Sequence, residues 1–399
     1  MNNSTSDLPL DIGDGKEYSI AIHRDINHIK QEWDFFCSED VYLNSVYNNV
    51  LQNSGPVDYG YYYLVISRQK TSIGVIYCQR KHLKLSKDFR LHAHSDSLWE
   101  KLKVAATKFI FSFVKTNVLI CGNVLLTGEY GFVFKEDGQY STIVALALEV
   151  LADDIKNKEN IRISNFILKD FHSSPQFAKH PFEQDSFYGF KVQPDMIINV
   201  DEEWTSYADY LKAVKSKYRV KFKKIKKKGS ALTYRTLDAA GAKKYNSAMY
   251  DMYRATADRA SFSLFLLGEN YFSDLKSALG DGMRLTGVFL DEELVAFFTL
   301  IKNGDMADAH FLGYNVKLNS KHQIYFNLLL ILIEQAIETR AKYLNLSRTA
   351  LEIKSSVGAE PYDLTVFLKH RTPWVNKLVP RIMKRFVPVM DWVQRSPFK

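Results

Sequence analysis

The stretch from Met283 to Lys369 limits the fold most, because its pattern predicts three strands, a helix, a strand, a helix and a last strand. The runs Met283–Leu290 and Leu294–Ile301 are rich in β-branched and aromatic residues, which favour strands. Asn303-Gly304 can adopt the positive φ angles of a tight hairpin turn and precedes a third run, Met306–Tyr314. The first part of the stretch is therefore predicted to be an antiparallel three-stranded sheet.

The second part of the stretch alternates helices and strands. Apolar residues recur at helical spacing within Ile324–Arg340, and the short apolar run Tyr343–Leu346 follows. Thr349 and Glu352 have the spacing of a capping box, which predicts that a second helix begins there. Leu364–Lys369 is the predicted last strand. A sheet flanked by helices in this order is typical of an α+β domain.

Two sequence segments carry a likeness to a known family. They are Leu346–Pro361, which reads LSRTALEIKSSVGAEP, and Tyr207–Arg219, which reads YADYLKAVKSKYR. With the predicted element order they resemble the acyl-CoA N-acyltransferase (GNAT) fold, and more narrowly its FemAB-like branch, which includes peptidoglycan-bridge aminoacyl transferases. The resemblance implies an α+β (mixed α/β) fold with two GNAT-like domains, each a twisted, mostly antiparallel sheet flanked by helices.

The chain of 399 residues is long enough for two domains of ordinary size. Residues 1–15 are polar and rich in turn formers, and we expect them to be disordered. We expect residues 16–200 to form an N-terminal GNAT-like domain, with one of its helices at Trp99–Val114, and residues 201–370 to form the C-terminal GNAT domain. Residues 371–399 form a basic, aromatic tail.

The sequence shows neither a secretory signal pattern nor an apolar run of the roughly 20 residues that a membrane-spanning helix needs. Its cysteines, Cys37, Cys78 and Cys121, are widely separated and odd in number, which disfavours a disulfide framework and a zinc site. We therefore expect a cytoplasmic protein that could lie against the inner face of a membrane.

The positive charge is concentrated in two stretches. Lys212–Lys228 contains ten Lys or Arg residues and no acidic residue, and Arg371–Lys399 contains seven against one Asp, whereas the whole chain has a net charge of +8. Apolar spacing predicts that Tyr207–Lys228 is one long helix. Its basic surface is either a solvated face or a contact for coenzyme A phosphates, tRNA or lipid headgroups, with Lys217 and Arg219 as substrate-binding candidates.

The tail beyond residue 370 has two interpretations. Its aromatic and apolar residues are interleaved with basic ones, which suits contact with an anionic membrane surface. Four prolines interrupt any long helix there, and packing across the domain surface is the other interpretation.

Acyl transfer to an amine needs a group that accepts a proton, because a lysine-like amine with a pKa near 10.4 is protonated at neutral pH. On the predicted strand Met306–Tyr314, alternation places Asp308, His310 and Tyr314 on one face. The resemblance implies that the donor lies beside this strand. His310 is therefore a candidate base or an inner, hydrogen-bonded histidine, and Asp308 is a candidate site residue or a cap of the hairpin.

Three further candidates follow the next strand. Arg348 leaves its carboxyl end, where α/β folds tend to collect ligand contacts, and could hold a substrate carboxylate or phosphate. Glu352 is a second candidate for relaying the proton, with helix capping as its other interpretation. Lys354 is a substrate-binding candidate or a surface charge.

GNAT enzymes that use coenzyme A carry a glycine-containing loop whose backbone N–H groups bind the pyrophosphate. The corresponding segment here, Val316–Gln323, contains no glycine, which leaves Asn319, Ser320 and Lys321 as the phosphate-binding candidates. Acyl-CoA is therefore a candidate cosubstrate, although this chain lacks the glycine-containing loop. Aminoacyl-tRNA is the other candidate donor.

No metal site is predicted. His92 and His94 alternate as two ligands on a strand do, but no set of Cys, Asp or Glu residues completes the site. The leading hypothesis is an N-acyltransferase that passes an acyl or aminoacyl group from a thioester or aminoacyl-tRNA to an amine of a cell-envelope precursor or amino-lipid. The alternative is a catalytically inactive GNAT-like binding module at the membrane surface, which the absent glycine loop favours.

Overall fold

The structure, a computed structural model, describes residues 7–84, 115–135, 139–179, 182–184, 186–259, 265–386 and 392–399. The helix predicted at Trp99–Val114 and the histidines His92 and His94 lie outside the described residues, so these stay predictions.

The N-terminal half extends to about residue 200. Its strands are β1 (Leu8–Leu10), β2 (Tyr18–His23), β3 (Tyr59–Arg68), β4 (Thr71–Lys84), β5 (Lys115–Cys121), β6 (Phe132–Phe134), β7 (Asn165–His172) and β8 (Tyr188–Asn199). Its described helices are α1 (Lys30–Cys37), α2 (Ser45–Ser54) and α3 (Tyr140–Glu159), with a 3-10 turn at Ile26–His28. Strand β1 pairs with β2, so Leu8–Leu10, expected to be disordered, belongs to the sheet instead.

The C-terminal half repeats a similar order. Its strands are β9 (Thr233–Leu237), β10 (Met283–Leu290), β11 (Glu293–Asn303), β12 (Met306–Tyr314), β13 (Tyr343–Asn345) and β14 (Glu360–His370). Its helices are α4 (Tyr207–Ala213), α5 (Ser216–Lys228), α6 (Ala239–Lys244), α7 (Asn246–Ala257), α8 (Tyr271–Leu279), α9 (Val316–His322), α10 (Ile324–Glu338), α11 (Leu351–Ser355), α12 (Pro373–Asn376) and α13 (Val379–Phe386), with a 3-10 turn at Gly280–Gly282. The order predicted for Met283–Lys369 is confirmed, with α9 added.

The described strands form one continuous sheet in the order β1-β2-β3-β4-β5-β7-β14-β8-β13-β12-β11-β10-β9, with β6 beside β4. In each half, antiparallel strands lead to one parallel pair, β5 with β7 and β12 with β13, and helices α3 and α10 lie in the connections. Each half then sends its last strand to the other: β8 pairs with β13, and β14 pairs with β7. The fold is therefore α+β with two GNAT-like halves, as predicted, and the halves exchange their last strands.

The core is distributed unequally over the two faces of the sheet. On one face a shared core extends through both halves, with Trp33 and Tyr63 from the N-terminal half and Phe272 and Phe297 from the C-terminal half. On the other face each half has its own core, built on α3 in one and on α5 and α10 in the other. Burial of apolar surface on the shared face thus joins the halves in addition to strand pairing.

The basic stretch is two helices rather than the single helix predicted. Helix α4 ends at Ala213, and Val214 is extended, with φ −79° and ψ 139°, before α5 begins. The extended residues pair with the end of the chain. The Lys215 N–H donates to the Pro397 carbonyl at 2.8 Å, and the Lys399 N–H donates to the Ala213 carbonyl at 3.1 Å. Apolar spacing continues across the break, so periodicity alone does not reveal it.

The described end of the tail, residues 392–399, packs across the C-terminal half. The Phe398 ring lies 5.6 Å from the Trp204 ring and 6.0 Å from the Tyr210 ring. Trp392 packs against the same core. Trp374 on α12 is instead 70% exposed. No helix among the described residues is long and apolar enough to cross a membrane.

We predict that Gly358→Ala destabilises the chain. Gly358 has a φ of +104°, and a Cβ there would overlap the Phe398 ring. The strained backbone alone costs about 1–3 kcal/mol, so urea unfolding should show a loss of at least that size. The matched control is Gly282→Ala, where a Cβ meets nothing within 4 Å, and its change should stay within about 0.5 kcal/mol. Equal changes in the two variants would contradict both the positive φ of Gly358 and the packing of the tail against it.

Candidate active site

Strand β12 contains a bulge that decides which side chains face the site. Its pairing with β11 shifts by one residue within the strand, and the Thr299 hydroxyl accepts the Phe311 N–H at 2.9 Å across the bulge. Asp308 and His310 face the shared core, whereas Tyr314 packs in the core on the other face. The prediction that Tyr314 shares their face is wrong, because the extra residue shifts the alternation.

A small cavity lies where β12 and β13 separate, beyond the pairing of Asp308 with Asn345. It has room for about one water molecule. The C-terminal half lines it with Asp308, Ala309, His310 and Ser347, and the N-terminal half with Tyr42, Leu125, Leu126, Thr127 and Tyr130. Because both halves supply its walls, the cavity exists only in the assembled chain.

Asp308 and His310 bring ionisable groups into this cavity, and each is only 8% exposed. Burial, with the charge of Asp195 as a second cause, raises the pKa of Asp308 to about 8. Burial lowers the pKa of His310 to about 3, so its ring is neutral at neutral pH. Oδ2 of Asp308 and Nδ1 of His310 have no hydrogen-bond partner among the described residues. Both atoms are therefore available to a ligand.

A chain of tyrosines positions His310. The Nε2 atom of His310 lies 2.8 Å from the Tyr271 hydroxyl, which lies 3.2 Å from the Tyr47 hydroxyl. The Tyr42 ring lies 5.8 Å from the His310 ring on another side. Burial raises the pKa of Tyr42 well above its ordinary value, so its hydroxyl stays protonated and can donate a hydrogen bond.

Buried polar side chains adjoin the cavity at the centre of the sheet. Asp195 on β8 is fully buried, and the Thr127 hydroxyl lies 3.0 Å from both of its carboxylate oxygens. The Asn345 amide donates to Asp195 at 3.0 Å, and its oxygen accepts the Ser347 N–H at 2.7 Å. Burial raises the pKa of Asp195 to about 6, against the opposing effects of Thr127 and of the positive charge of Arg348.

Arg348 connects the two halves electrostatically. Its guanidinium pairs with Asp170 on β7, which also pairs with Lys169. Burial raises the pKa of Asp170, but Arg348 and Lys169 together outweigh it and hold that pKa below its ordinary value. Burial lowers the pKa of Lys169 to about 8. The Arg348 side chain is 24% exposed, so a substrate anion can reach it. Its contact with a substrate stays a prediction.

The turn after β13 is strained and is held by Lys354. Ser347, Thr349 and Ala350 have φ values of 58°, 68° and 48°, which are left-handed values that residues other than glycine rarely adopt. Lys354 is buried, and its ammonium donates to the Ser347 carbonyl at 3.0 Å and to the Arg348 carbonyl. Burial lowers the pKa of Lys354 to about 7. The interpretation of Lys354 as a surface charge is therefore wrong, because the side chain is buried, and its contact with a substrate stays a prediction.

Glu352 lies apart from the cavity. Helix α11 follows Ala350 and no side chain caps it, so the capping box predicted for Thr349 and Glu352 is wrong, because Thr349 belongs to the strained turn. The Glu352 carboxylate is half exposed and accepts a hydrogen bond from Arg395 at 3.0 Å. Glu352 does not line the cavity with Asp308 and His310.

The phosphate-binding candidates lie on a helix rather than in a loop. Asn319, Ser320 and Lys321 belong to α9, and the Asn319 side chain accepts the Tyr325 N–H at 2.9 Å at the start of α10. Ser320 and Lys321 are exposed, and Asn319 is half-buried. Helix α9 packs against the basic helix α5, so Lys321 adds to one basic surface.

The substrate-binding candidates of the basic helix make local contacts. The Lys217 ammonium lies 5.1 Å from the centre of the Tyr218 ring, and Arg219 donates to the Val214 carbonyl at 2.6 Å. Neither residue lines the cavity. Their contact with a substrate stays a prediction.

The sequence interpretation missed the residues that the N-terminal half supplies, above all Tyr42, Thr127 and Asp195. They lie far from β12 in the sequence, and no local motif marks them. One signal was available: Asp195 directly precedes the buried run Met196–Ile198, where a strand is otherwise apolar. Among the described residues, no group of three or more His, Cys, Asp or Glu could hold a metal ion.

Comparison with protein families matches residues 212–362 to the family described as "Acetyltransferase (GNAT) domain". The matched segment contains β12, both ionisable groups of the cavity and the strained turn. A search of curated proteins gave no match.

Several solved structures are similar. A tandem GNAT protein from the clavulanic acid biosynthesis pathway is 11% identical, covers 92% of this chain and 99% of its own, and has a TM-score of 0.48. The FemX structure is 12% identical, covers 88% and 98%, and has a TM-score of 0.47. The L-PGS structure from Bacillus licheniformis is 11% identical, covers 85% and 95%, and has a TM-score of 0.44.

We predict that Asp308→Asn stabilises the chain increasingly as the pH rises. The folded pKa of about 8 exceeds the ordinary carboxyl value of about 3.9, so the folded chain binds this proton more tightly than the unfolded chain. The resulting stabilisation is complete below about pH 4 and is lost as the pH rises through about 8. The asparagine variant cannot titrate there. Its free energy of unfolding, relative to that of the wild type, should therefore increase from about pH 4 to about pH 8.

Urea unfolding across this range measures the difference. The control is Asp363→Asn, which removes an exposed carboxylate paired with Lys191 at the surface. Its difference from the wild type should show no such increase. A constant difference for Asp308→Asn across the range would contradict a buried, titrating Asp308.

Proposed function

We propose that this chain, which contains a GNAT acetyltransferase domain at residues 212–362, is an N-acyltransferase that transfers an acyl or aminoacyl group to an amine. The observation that supports this most directly is the pair of unpartnered, buried atoms on Asp308 and His310, in a cavity where β12 and β13 separate. An amine reaching this cavity would meet a proton acceptor where two inner strands of the sheet separate.

Asp308 is the proton acceptor in this proposal. The amine arrives as an ammonium, the Asp308 carboxylate takes one proton, and the freed lone pair attacks the acyl carbon. A C–N bond forms, the bond to the thiol or tRNA oxygen breaks, and a second proton passes from nitrogen to the leaving group. A carboxylate with a pKa of about 8 holds a proton more tightly than an ordinary one, which suits this role near neutral pH.

Neutral groups complete the cavity. The negative charge that develops on the acyl oxygen needs a hydrogen-bond donor, and the protonated Tyr42 hydroxyl and the Ser347 side chain stand at the cavity wall. His310 is too weak a base to compete with Asp308 and instead orients the amine through its unpartnered Nδ1. Glu352, the other proton acceptor considered, is half exposed and paired with Arg395.

The donor is a thioester such as acyl-CoA or an aminoacyl-tRNA. Both are polyanions, and the exposed lysines of α5, with Lys321 on α9, form a basic surface beside the end of β12. Helix α9 follows β12 directly, so a donor bound there can direct its acyl group toward the gap between β12 and β13.

The FemAB-like resemblance supports an acceptor that is a cell-envelope precursor or an amino-lipid, in which case the protein contacts an anionic membrane.

The first experiment identifies the donor by thermal shift with acetyl-CoA, a long-chain acyl-CoA and aminoacyl-tRNA. A donor at about 100 times its Kd adds roughly 2.7 kcal/mol of stability. With that donor, Asp308→Asn should lower kcat/KM by roughly 10²- to 10⁴-fold, the usual effect of losing a general base. Glu352→Gln should leave kcat/KM near the wild-type value. The wild-type rate should rise as the pH passes through about 8.

Wild-type rates for Asp308→Asn would contradict the assignment of the base. No donor binding and no transfer would favour the alternative hypothesis, an inactive GNAT-like binding module. The absence of glycine from the segment that would contact pyrophosphate is the observation that favours this alternative.

The basic surface gives a separate prediction. The exposed residues Lys223, Lys224 and Lys227 are replaced together by Glu. If the donor is a tRNA, its affinity should fall and the slope of log K against log salt should become shallower by roughly 0.7–0.9 for each phosphate that the variant no longer neutralises. Filter binding at several salt concentrations measures both.

The matched control makes the same charge change on the N-terminal half, at the exposed residues Lys30, Lys156 and Lys191. This variant should keep the wild-type slope. Equal losses of affinity in the two variants would indicate general charge repulsion rather than a binding surface.

A further inference from the structure

The carboxylate of Asp195 lies one hydrogen-bonded side chain away from Asp308. Strand pairing places Asp308 beside Asn345, and the Asn345 amide donates to Asp195 at 3.0 Å. Because paired residues of neighbouring strands share a face of the sheet, the Asn345 side chain also lies next to Asp308. Asp195 belongs to β8, the strand that the N-terminal half inserts beside β13. A carboxylate of the N-terminal half is thus separated from one of the C-terminal half by a single amide side chain.

We propose that Asp195 is a positioning residue that acts through Asn345 and strengthens Asp308 as a proton acceptor. The N-terminal half then sets the basicity of the group that the C-terminal half presents to the amine. This inference rests on the proposed function, because only in that function is Asp308 the base.

The geometry supports an electrostatic coupling. Both carboxylates are buried, and a like charge at short range in a medium of low dielectric constant favours keeping a proton. Asp195 has the lower pKa of the two, because the Thr127 hydroxyl and the charge of Arg348 oppose the effect of burial. Asp195 is therefore ionised in the pH range where Asp308 titrates.

The other charged groups around Asp308 do not supply the same effect. Asp40 also acts on Asp308, but its carboxylate is paired with Lys179 at 2.8 Å. The tyrosines at the cavity stay neutral, since burial raises the pKa of Tyr130 as it does that of Tyr42. His310 on the same strand is neutral as well. Lys354 and Arg348 act on Asp195 itself. His172 on β7 lies 3.9 Å from Asp195, but burial lowers its pKa to about 4 and keeps its ring neutral. Asp195 is therefore the ionised group that acts on Asp308 most strongly, and only the Asn345 side chain lies between the two strands that carry them.

The test is Asp195→Asn, which keeps the shape of the side chain and removes its charge. Infrared difference spectroscopy follows the carbonyl stretch of protonated Asp308 against pH, and the band is assigned by its loss in Asp308→Asn. We expect the Asp308 midpoint to fall by at least about one pH unit in Asp195→Asn. The acid limb of the rate profile should move by the same amount.

A second variant tests the same coupling if Asp195→Asn does not fold. Thr127→Val removes the hydroxyl that favours ionised Asp195. Asp195 should then be protonated over part of the range in which Asp308 titrates, which gives a smaller shift in the same direction. The exposed control Asp363→Asn should give no shift.

The outcomes separate the two proposals. An unchanged Asp308 midpoint in both variants, with transfer still dependent on Asp308, overturns the role of Asp195 and leaves the proposed function standing. A lowered Asp308 midpoint, with no transfer activity in the wild type or in any variant, supports the coupling and overturns the proposed transferase function. A fall in rate or stability without a midpoint shift assigns Asp195 a structural role only and overturns the inference.

Discussion

Strands β8 and β14 pair with each other at the centre of the sheet, and each also pairs with a strand of the opposite half. This exchange makes two similar halves into one sheet and one shared core. It also explains why the cavity has walls from both halves, since β8 brings Asp195 beside β13 and Arg348 reaches Asp170 on β7. Neither half alone could bury these polar groups with their partners.

Burial at this junction sets the protonation states of the site. Asp308 is kept largely protonated near neutral pH, His310 is kept neutral, and Lys354 is held against carbonyls of a strained turn. Each arrangement costs folding free energy in isolation. Such costs commonly concentrate where a protein binds and transforms a ligand, which is consistent with a site at the end of the parallel strand pair.

The sequence predicted the C-terminal strands and helices well, because alternation and the Asn303-Gly304 turn are local signals that the structure confirms. It also identified Asp308 and His310 as polar residues on a strand that should be apolar. It failed for Tyr314 and Thr349, because a bulge and a left-handed turn break the periodicity on which these predictions relied. It could not find Tyr42 or Asp195, because the strand exchange that brings them to the site is a long-range feature without a local pattern.

The most direct test of the account is a crystal structure with a non-hydrolysable analogue of the donor that the thermal shift identifies. The account predicts that the acyl carbonyl lies in the cavity between Tyr42, Asp308 and His310. The N-terminal half has a comparable small cavity where β5 and β7 separate, lined in part by Cys121 and Lys169. An acyl group bound there, with the Asp308 cavity empty, would contradict the central claim.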